Sequence, residues 1–285
     1  MGEIIIIGGG LAGCEAAWQA AKLGIKVYLY EMRPEKQTGA HQTGNLAELV
    51  CSNSFGSNMP DRAAGLLKQE TRLLASLLLE CAEVSAVPAG TALAVDRSTF
   101  SALVTQRLSE HPLIKIVRQE VTSLPDQPCI VTSGPLTSTS LTKSLVSFAG
   151  EELLFFYDAI APMISADSIN FEIAFRSSRF TGDASNTGDY INCPFTKEQY
   201  YNFIQELKSA QCIELKSFEK PIQSGVRAGA SQFFEGCLPV EILAQRGQDT
   251  LAFGPMRPIG LVDPHTGKRP FAVLQLRQDN LLAQS

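Results

Sequence analysis

Histidine is scarce in this sequence of 285 residues, and no two cysteines stand in a CxxC pair. The three histidines, His41, His111 and His265, lie far apart, so no metal constellation follows from spacing and none is expected. Each reads as a surface or satisfied polar residue. The seven cysteines (Cys14, Cys51, Cys81, Cys129, Cys193, Cys212 and Cys237) are scattered and odd in number, which argues against a disulfide framework or a zinc ribbon. Basic charge is not in excess either: the net charge of −5 argues against broad affinity for nucleic acid and leaves only a local basic patch open. No apolar run approaches the roughly 20 residues that a membrane-crossing helix needs. The greasiest stretch, LLFFYDAIAPMI, is broken by Asp158 and Pro162. The first residues already read as a strand, so no leader is expected, and with 45% hydrophobic residues the expectation is a soluble, cytoplasmic protein with a sizeable core and no membrane association.

The most regular piece is the opening, MGEIIIIGGGLAGCEAAWQAAKLGIKVYLYEMRPE. Four isoleucines make a short buried strand, Gly8, Gly10 and Gly13 follow at GxGxxG spacing, and an Ala-rich helix runs to Gly24. KVYLYE is the next strand, and its last residue, Glu31, stands 23 positions after Gly8. That is where dinucleotide folds place the acid that accepts a ribose hydroxyl. A lone GxGxxG says little, but strand, glycines, helix, strand and terminal acid in this order predict a dinucleotide site. Glycine lets the backbone approach a pyrophosphate while the helix N-terminus faces it. An acid rather than a basic pair predicts an unphosphorylated ribose, as in FAD or NAD.

Residues 34 to 60 are rich in Gly, Ser, Asn and Thr and read as a loop around a short apolar segment, Leu46 to Cys51. Long loops in compact domains are usually functional, and this one carries Cys51. AAGLLKQETRLLASLLLECAEV has a strong helical period, with Leu66, Leu67, Leu73, Leu74, Leu77 and Leu78 on adjoining faces and Cys81 as core filler. ALAVDRSTFSALVTQRLSEHP reads as a strand, a cap at Asp96 or Ser98, and a helix ending at Pro112. IKIVRQEVTSL and PCIVTSG are further strands, and a Ser/Thr-capped helix follows Gly134. LLFFYDAIAPMI reads as a strand running into a loop, and composition shifts near residue 150. Beyond it, FTKEQYYNFIQELKSA is an amphipathic helix capped by Thr196, flanked by loop-rich stretches. Pro239 is expected to open a helix that Gly247 ends, which puts Cys237 just outside a helix N-terminus, where a thiolate is favoured. A small buried core residue is the other reading of that position. Arg246, Arg257, Lys268 and Arg269 cluster in the last region, either as solvated surface or as an anion-binding face.

The blocks GGGLAGCEAAWQAAKLGIKVYLYEMRP, AELVCSNSF, VPAGTALAVDR, SGPLTS, FYDAIAP, YINCPFT, FEGCLPVEILAQRG, FGPMRPIGL and GKRPFAVLQLRQDN occur in order through essentially the whole chain. Together they resemble the folate- and FAD-dependent tRNA (uracil-5-)-methyltransferase family, within the tRNA-modifying flavoprotein group that includes the MnmG/GidA enzymes. The resemblance implies an α/β fold: a Rossmann-like FAD-binding domain of the GR2 type over residues 1–150, and a mixed α+β insertion or substrate domain over 151–285 carrying Cys237. It implies a methylene group taken from 5,10-methylenetetrahydrofolate, reduced by NAD(P)H through FAD, and placed on the T-loop uridine of tRNA as a methyl. Gly8, Gly9, Gly10, Leu11, Ala12 and Gly13 would then cradle the FAD pyrophosphate, with Glu31 on the ribose. Cys237 would be the nucleophile and Cys51, in CSNS, the second functional thiol.

Thiols suit such chemistry. Uracil C5 is a poor nucleophile, but a thiolate adding at C6 breaks the 5,6 double bond and gives C5 enolate character, so that it can attack a one-carbon electrophile. A base must then remove the C5 proton, and a second thiolate can serve. Two departures from the family pattern stand out. A Gly/Ser/Ala stretch at 224–232 lengthens the approach to Cys237, and the sequence stops at Ser285, before the segments expected to complete the FAD site. The alternatives are a truncated, non-catalytic remnant that still binds a dinucleotide, and a generic FAD-dependent oxidoreductase.

Overall fold

A computed structural model describes residues 2–134, 136–150, 162–179, 188–211 and 240–285. The chain divides into two units, Met1–Val87 with Thr91–Ile160 and Pro88–Gly90 with Ala161–Ser285.

The first unit is built on a parallel sheet. Strand β1 (Glu3–Ile7) carries a continuous apolar run from Ile4 to Ile7 because a central parallel strand is covered on both faces. It leads into helix α1 (Leu11–Lys22), whose small residues Gly13, Cys14, Ala17 and Ala21 recur at helical spacing and are all buried. Gly24, at φ +79°, turns the chain back into β2 (Lys26–Glu31), which pairs parallel to β1 from Glu3↔Lys26 to Ile7↔Tyr30. Two later strands, β6 (Ile114–Arg118) and β7 (Cys129–Val131), flank this pair and give the order β6-β2-β1-β7, all parallel. Strand order reverses between β1 and β7. In open parallel sheets the crevice at such a reversal, outside the carboxyl ends of the strands, is where ligands bind.

Between β2 and β6 the chain forms β3 (Ser54–Ser57), helices α2 (Ala63–Leu73) and α3 (Leu77–Val84), strands β4 (Ala86–Val87) and β5 (Ala92–Val95), and helix α4 (Arg97–Ser109). Strands β3, β5 and β4 make a small antiparallel sheet. Asp96 caps α4 by accepting the Thr99 N–H at 2.8 Å, so of the two expected caps it is Asp96 that serves. The core of the unit joins Ile6, Leu29, Leu77, Phe100, Val104 and Leu108. Helix α5 (Thr139–Ala149) follows β7, capped by Ser138 and closed by Gly150 at φ +74°.

Two expectations are corrected. The leucine-rich stretch 63–84 is two helices rather than one continuous period. Ala75 takes φ +52° and Ser76 starts α3 by accepting the Leu79 N–H. Side chains of α1 hold the break: Glu15 accepts from Ser76 Oγ and the Leu78 N–H, while Gln19 and Lys22 donate to the Leu74 carbonyl. As a result Leu77 is buried, whereas Leu66, Leu67, Leu73 and Leu74 face outward, and the buried positions of α2 are Gly65 and Lys68. The loop read over 34–60 also contains β3, which Ser-rich composition had hidden.

In the second unit, β8 (Phe175–Arg176), β9 (Tyr190–Phe195) and β10 (Ala272–Arg277) form an antiparallel sheet in the order β10-β9-β8. Helix α6 (Lys197–Ser209) opens with a full capping box between Thr196 and Gln199. Helices α7 (Val240–Arg246) and α8 (Thr250–Phe253) complete it, and Tyr200, Ile204, Leu251, Met256 and Ala272 share its core. The strand expected at LLFFYDAIAPMI and the 224–232 stretch lie outside the described residues.

Close packing of α1 on the sheet rests on Gly13. A Cβ there would stand 1.9 Å from the Gly8 carbonyl oxygen and 2.6 Å from the Thr132 hydroxyl. Gly13→Ala should therefore force helix and strand apart and lower the unfolding free energy by about 1–3 kcal/mol or more. A shift in the urea midpoint at unchanged slope would register it, and an unshifted midpoint would show that the contact yields freely.

Candidate functional site

A cavity of ≈ 520 Å³ lies at the carboxyl ends of the parallel strands. Its wall takes in Ile7 to Ala12 after β1, Tyr30 to Arg33 after β2, Gln119 to Val121 after β6, and Thr132 to Gly134 after β7. The loop after β2 supplies the remaining side with Leu49, Val50, Cys51 and Ser52. Of the residues singled out from sequence, Gly8, Gly9, Gly10, Leu11, Ala12, Glu31 and Cys51 all face this one space. Gly13 stands behind it against Gly8 and Thr132, and Cys237 lies outside the described residues.

The glycine turn is shaped for a ligand with anionic groups. Gly8 adopts φ +107°, and the Thr132 hydroxyl lies 2.9 Å from its carbonyl oxygen, tying the turn to β7. A Cβ at Gly10 would meet nothing within 4 Å, so backbone there is bare to the cavity. Helix α1 begins at this point with no side-chain cap and no acid in its first turn. Uncapped N–H groups and the positive end of the helix dipole make such a start a place for phosphate.

Glu31 closes the turn from the side of β2. Its Oε2 accepts the Gly9 N–H at 2.9 Å, and its Oε1 accepts both the Arg33 N–H at 3.0 Å and Arg33 Nε at 2.9 Å. A carboxylate offers about four acceptor positions, so room for one more donor remains on Oε2. Burial alone would raise the Glu31 pKa; the hydrogen bonds and charge of Arg33, with the Gly9 N–H, outweigh it and hold the group below its ordinary value of 4.5.

Arg33 itself is only 2% exposed and lies between two acids, with Nη1 at 2.9 Å from Glu48 Oε2. Glu48 also accepts the N–H groups of Gln42 and Thr43, and so gathers the loop after β2 around the guanidinium. Beyond Cys51 the loop is tied down again: buried Asn53 donates Nδ2 to the Val95 carbonyl at 3.0 Å and accepts the Val95 N–H on its own carbonyl at 2.9 Å. Cys51 is thus an exposed residue between two anchors. Arg33 and Glu48 were not among the residues picked out from sequence. Arg33 stands two places after the expected ribose acid, which is a usable signal, but nothing local marks Glu48.

The other described thiols are poorly placed for chemistry. Cys14 is fully buried, its sulfur 3.3 Å from the Gly9 carbonyl oxygen, and burial together with the Glu31 charge pushes its pKa up to about 12. Burial raises Cys81 to about 11. Among the described residues no three His, Cys, Asp or Glu side chains could hold a metal ion, and no helix is long and apolar enough to cross a membrane. His111 accepts the Leu113 N–H and sits edge-on against Trp18.

The parallel sheet, the glycine turn and the acid on β2 define a Rossmann-type dinucleotide-binding protein. The sequence pattern of the family described as "Glucose inhibited division protein A" matches residues 3–285, and the chain belongs to that family. It is similar to the methylenetetrahydrofolate--tRNA-(uracil-5-)-methyltransferase TrmFO of Anoxybacillus flavithermus, 53% identical over 279 residues, which are 98% of this chain and 61% of that protein. The protein of the same name from Pelotomaculum thermopropionicum is 52% identical over 282 residues, with the same two shares. The chain therefore spans about 61% of the length of the curated relatives it matches.

Two outcomes follow from this geometry. Arg33→Met leaves buried Glu31 and partly buried Glu48 without their shared cation and should cost about 3 kcal/mol at neutral pH. Because the folded pKa of Glu31 is depressed, its contribution is whole above pH 4.5 and is lost as pH falls through the folded value. In the variant burial is opposed only by the backbone N–H groups of Gly9 and residue 33, so the Glu31 pKa rises from its parent value and the deficit should shrink on acidification; a deficit independent of pH from 7 to 3 would refute the ion-pair account. Separately, alkylation of the native protein followed by peptide mapping should modify Cys51 well before Cys14 or Cys81.

Proposed function

We propose that the chain carries the flavin-binding and thiol-bearing machinery of a folate-dependent tRNA (uracil-5-)-methyltransferase, with FAD as cofactor and NAD(P)H and 5,10-methylenetetrahydrofolate as co-substrates. The observation that carries this reading is one cavity walled by an uncapped helix start, a depressed carboxylate and an exposed thiol. The names of the relatives point the same way.

The residues fit FAD. The turn from Gly8 to Ala12 would receive the pyrophosphate, with Gly13 behind it keeping α1 close to the sheet, and Glu31 Oε2 would accept a ribose hydroxyl at its remaining position. Ionised Glu31 would repel a 2′-phosphate at that place, which favours an unphosphorylated ribose. When bound, the flavin supplies the reducing step that turns a folate-borne methylene into a methyl group.

Cys51 is the group that handles a proton in this reading. Held between the Glu48 and Asn53 anchors, its sulfur is the base that takes the proton from uracil C5 after the new carbon bond forms. Cys237, the proposed nucleophile at C6, lies outside the described residues, and its role rests on the motif around it.

The test is transfer of label from methylenetetrahydrofolate to a tRNA transcript, run on chain with its flavin absorbance recorded. Cys51→Ala should keep the yellow chromophore and lower transfer about 10²-fold or more. Cys237→Ala should lose the covalent adduct with 5-fluorouridine-containing tRNA. Full transfer by Cys51→Ala would remove the proton role, and flavin retention without any tRNA-dependent transfer would leave a dinucleotide binder of another kind.

A further inference from the structure

From Thr250 to Gln278 the sequence holds Arg257, Lys268, Arg269 and Arg277 against a single acid, Asp263, in a chain whose net charge is −5. That acid is buried and consumed locally. Its Oδ1 accepts the His265 N–H at 2.9 Å and its Oδ2 accepts the Thr266 hydroxyl at 3.0 Å. Its backbone closes the same loop: the Asp263 N–H donates to the Lys268 carbonyl, and its carbonyl accepts the Gly267 N–H at 2.8 Å. Asp263 and Lys268 form an antiparallel bridge, with Gly267 at φ +66° completing the turn.

Both legs are anchored. Leu261 is 1% exposed on one side, and on the other Phe271 donates to the Phe195 carbonyl as the chain enters β10 at fully buried Ala272. Pro264 and Pro270 restrict the backbone just inside those anchors. What projects between them, Pro264 to Arg269, is exposed throughout. Lys268 donates its backbone N–H to Thr266 Oγ1 at 3.3 Å, while among the described residues neither its ammonium group nor the Arg269 guanidinium has an ion-pair or hydrogen-bond partner. A cation pair on a stiff turn loses little entropy when it binds, and phosphate contacts from Lys and Arg supply most of the affinity for nucleic acid.

We propose that the Asp263–Lys268 turn is an RNA-backbone contact, in which Lys268 and Arg269 each neutralise a phosphate and the buried Asp263 carboxylate sets their position. This rests on the RNA substrate of the reading above and assigns part of the surface that would hold it.

The test uses the full chain and an unmodified tRNA transcript, with affinity measured by fluorescence anisotropy across a salt series. Lys268→Gln with Arg269→Gln should reduce the slope of log affinity against log salt by about 1.5–2, a loss of about thirty- to a hundredfold at 0.1 M salt when extrapolated from 1 M. Lys197→Gln with Lys208→Gln removes the same charge from exposed positions on α6 and should leave the slope near its original value. Asp263→Ala makes the turn more positive, so charge alone predicts tighter binding, whereas loss of position predicts weaker. Equal losses from the two glutamine pairs, unchanged or tighter binding by Asp263→Ala at an unchanged melting temperature, or no RNA binding by the unaltered chain would each overturn the proposal. Flavin retention and label transfer by the unaltered chain test the methyltransferase reading, whereas the comparison among the variants tests this contact alone.

Discussion

The buried guanidinium of Arg33 is the constraint on which the cavity depends. Two carboxylates cannot sit under a loop in low dielectric unless a cation neutralises them, and Arg33 meets Glu31 and Glu48 at 2.9 Å each. Because Glu31 also holds the Gly9 N–H, the same charge network fixes the glycine turn, the end of β2 and the loop that presents Cys51. A second arginine braces it, since Arg118 Nη1 donates to the Arg33 carbonyl at 3.0 Å and so ties the end of β6 to the same point. The site is therefore a shell around one ionic centre, with its cavity face left to backbone.

That division of labour explains why the glycine turn can remain bare. Polar satisfaction is handled behind the wall: Thr132 secures the Gly8 carbonyl, Cys14 and the Ala47 N–H both reach the Gly9 carbonyl, and Glu31 takes the Gly9 N–H. The N–H groups at the start of α1 are left without a capping side chain, facing the space into which an anionic group would come. Cys14 belongs to this backing. Its burial and elevated pKa make it a spacer between helix and turn, although it lies only five residues from Gly9.

Legibility from sequence followed the range of the interactions. The β1–α1–β2 unit was readable in full because strand period, glycine spacing and terminal acid are local signals that agree with one another. The Thr196 cap was readable for the same reason, while Asp96 was one of two candidates and Ser138 only an unspecified Ser or Thr, although each side chain bonds a backbone group within three residues. The leucine stretch misled because its break at Ala75 is imposed from outside, by Glu15, Gln19 and Lys22 on α1. Periodicity cannot register a partner some 60 residues away. Strand β3 escaped notice for a related reason: SFGS has little strand propensity, and pairing with β5 decides its conformation.

What the sequence determined alone is the β1–α1–β2 unit with its glycine turn and terminal acid, since strand period, glycine spacing and helix start are all set by near neighbours in the chain. Which further residues meet that unit was a matter of tertiary structure. Only the fold brings Glu48 to Arg33 across 15 residues and swings the loop so that Cys51 shares a wall with Gly10. Likewise Asp263 reads as one more acid until folding buries it and spends its charge inside a turn. Each of these depends on burial, which turns an ordinary charged side chain into an organising one by removing the water that would otherwise compete for it.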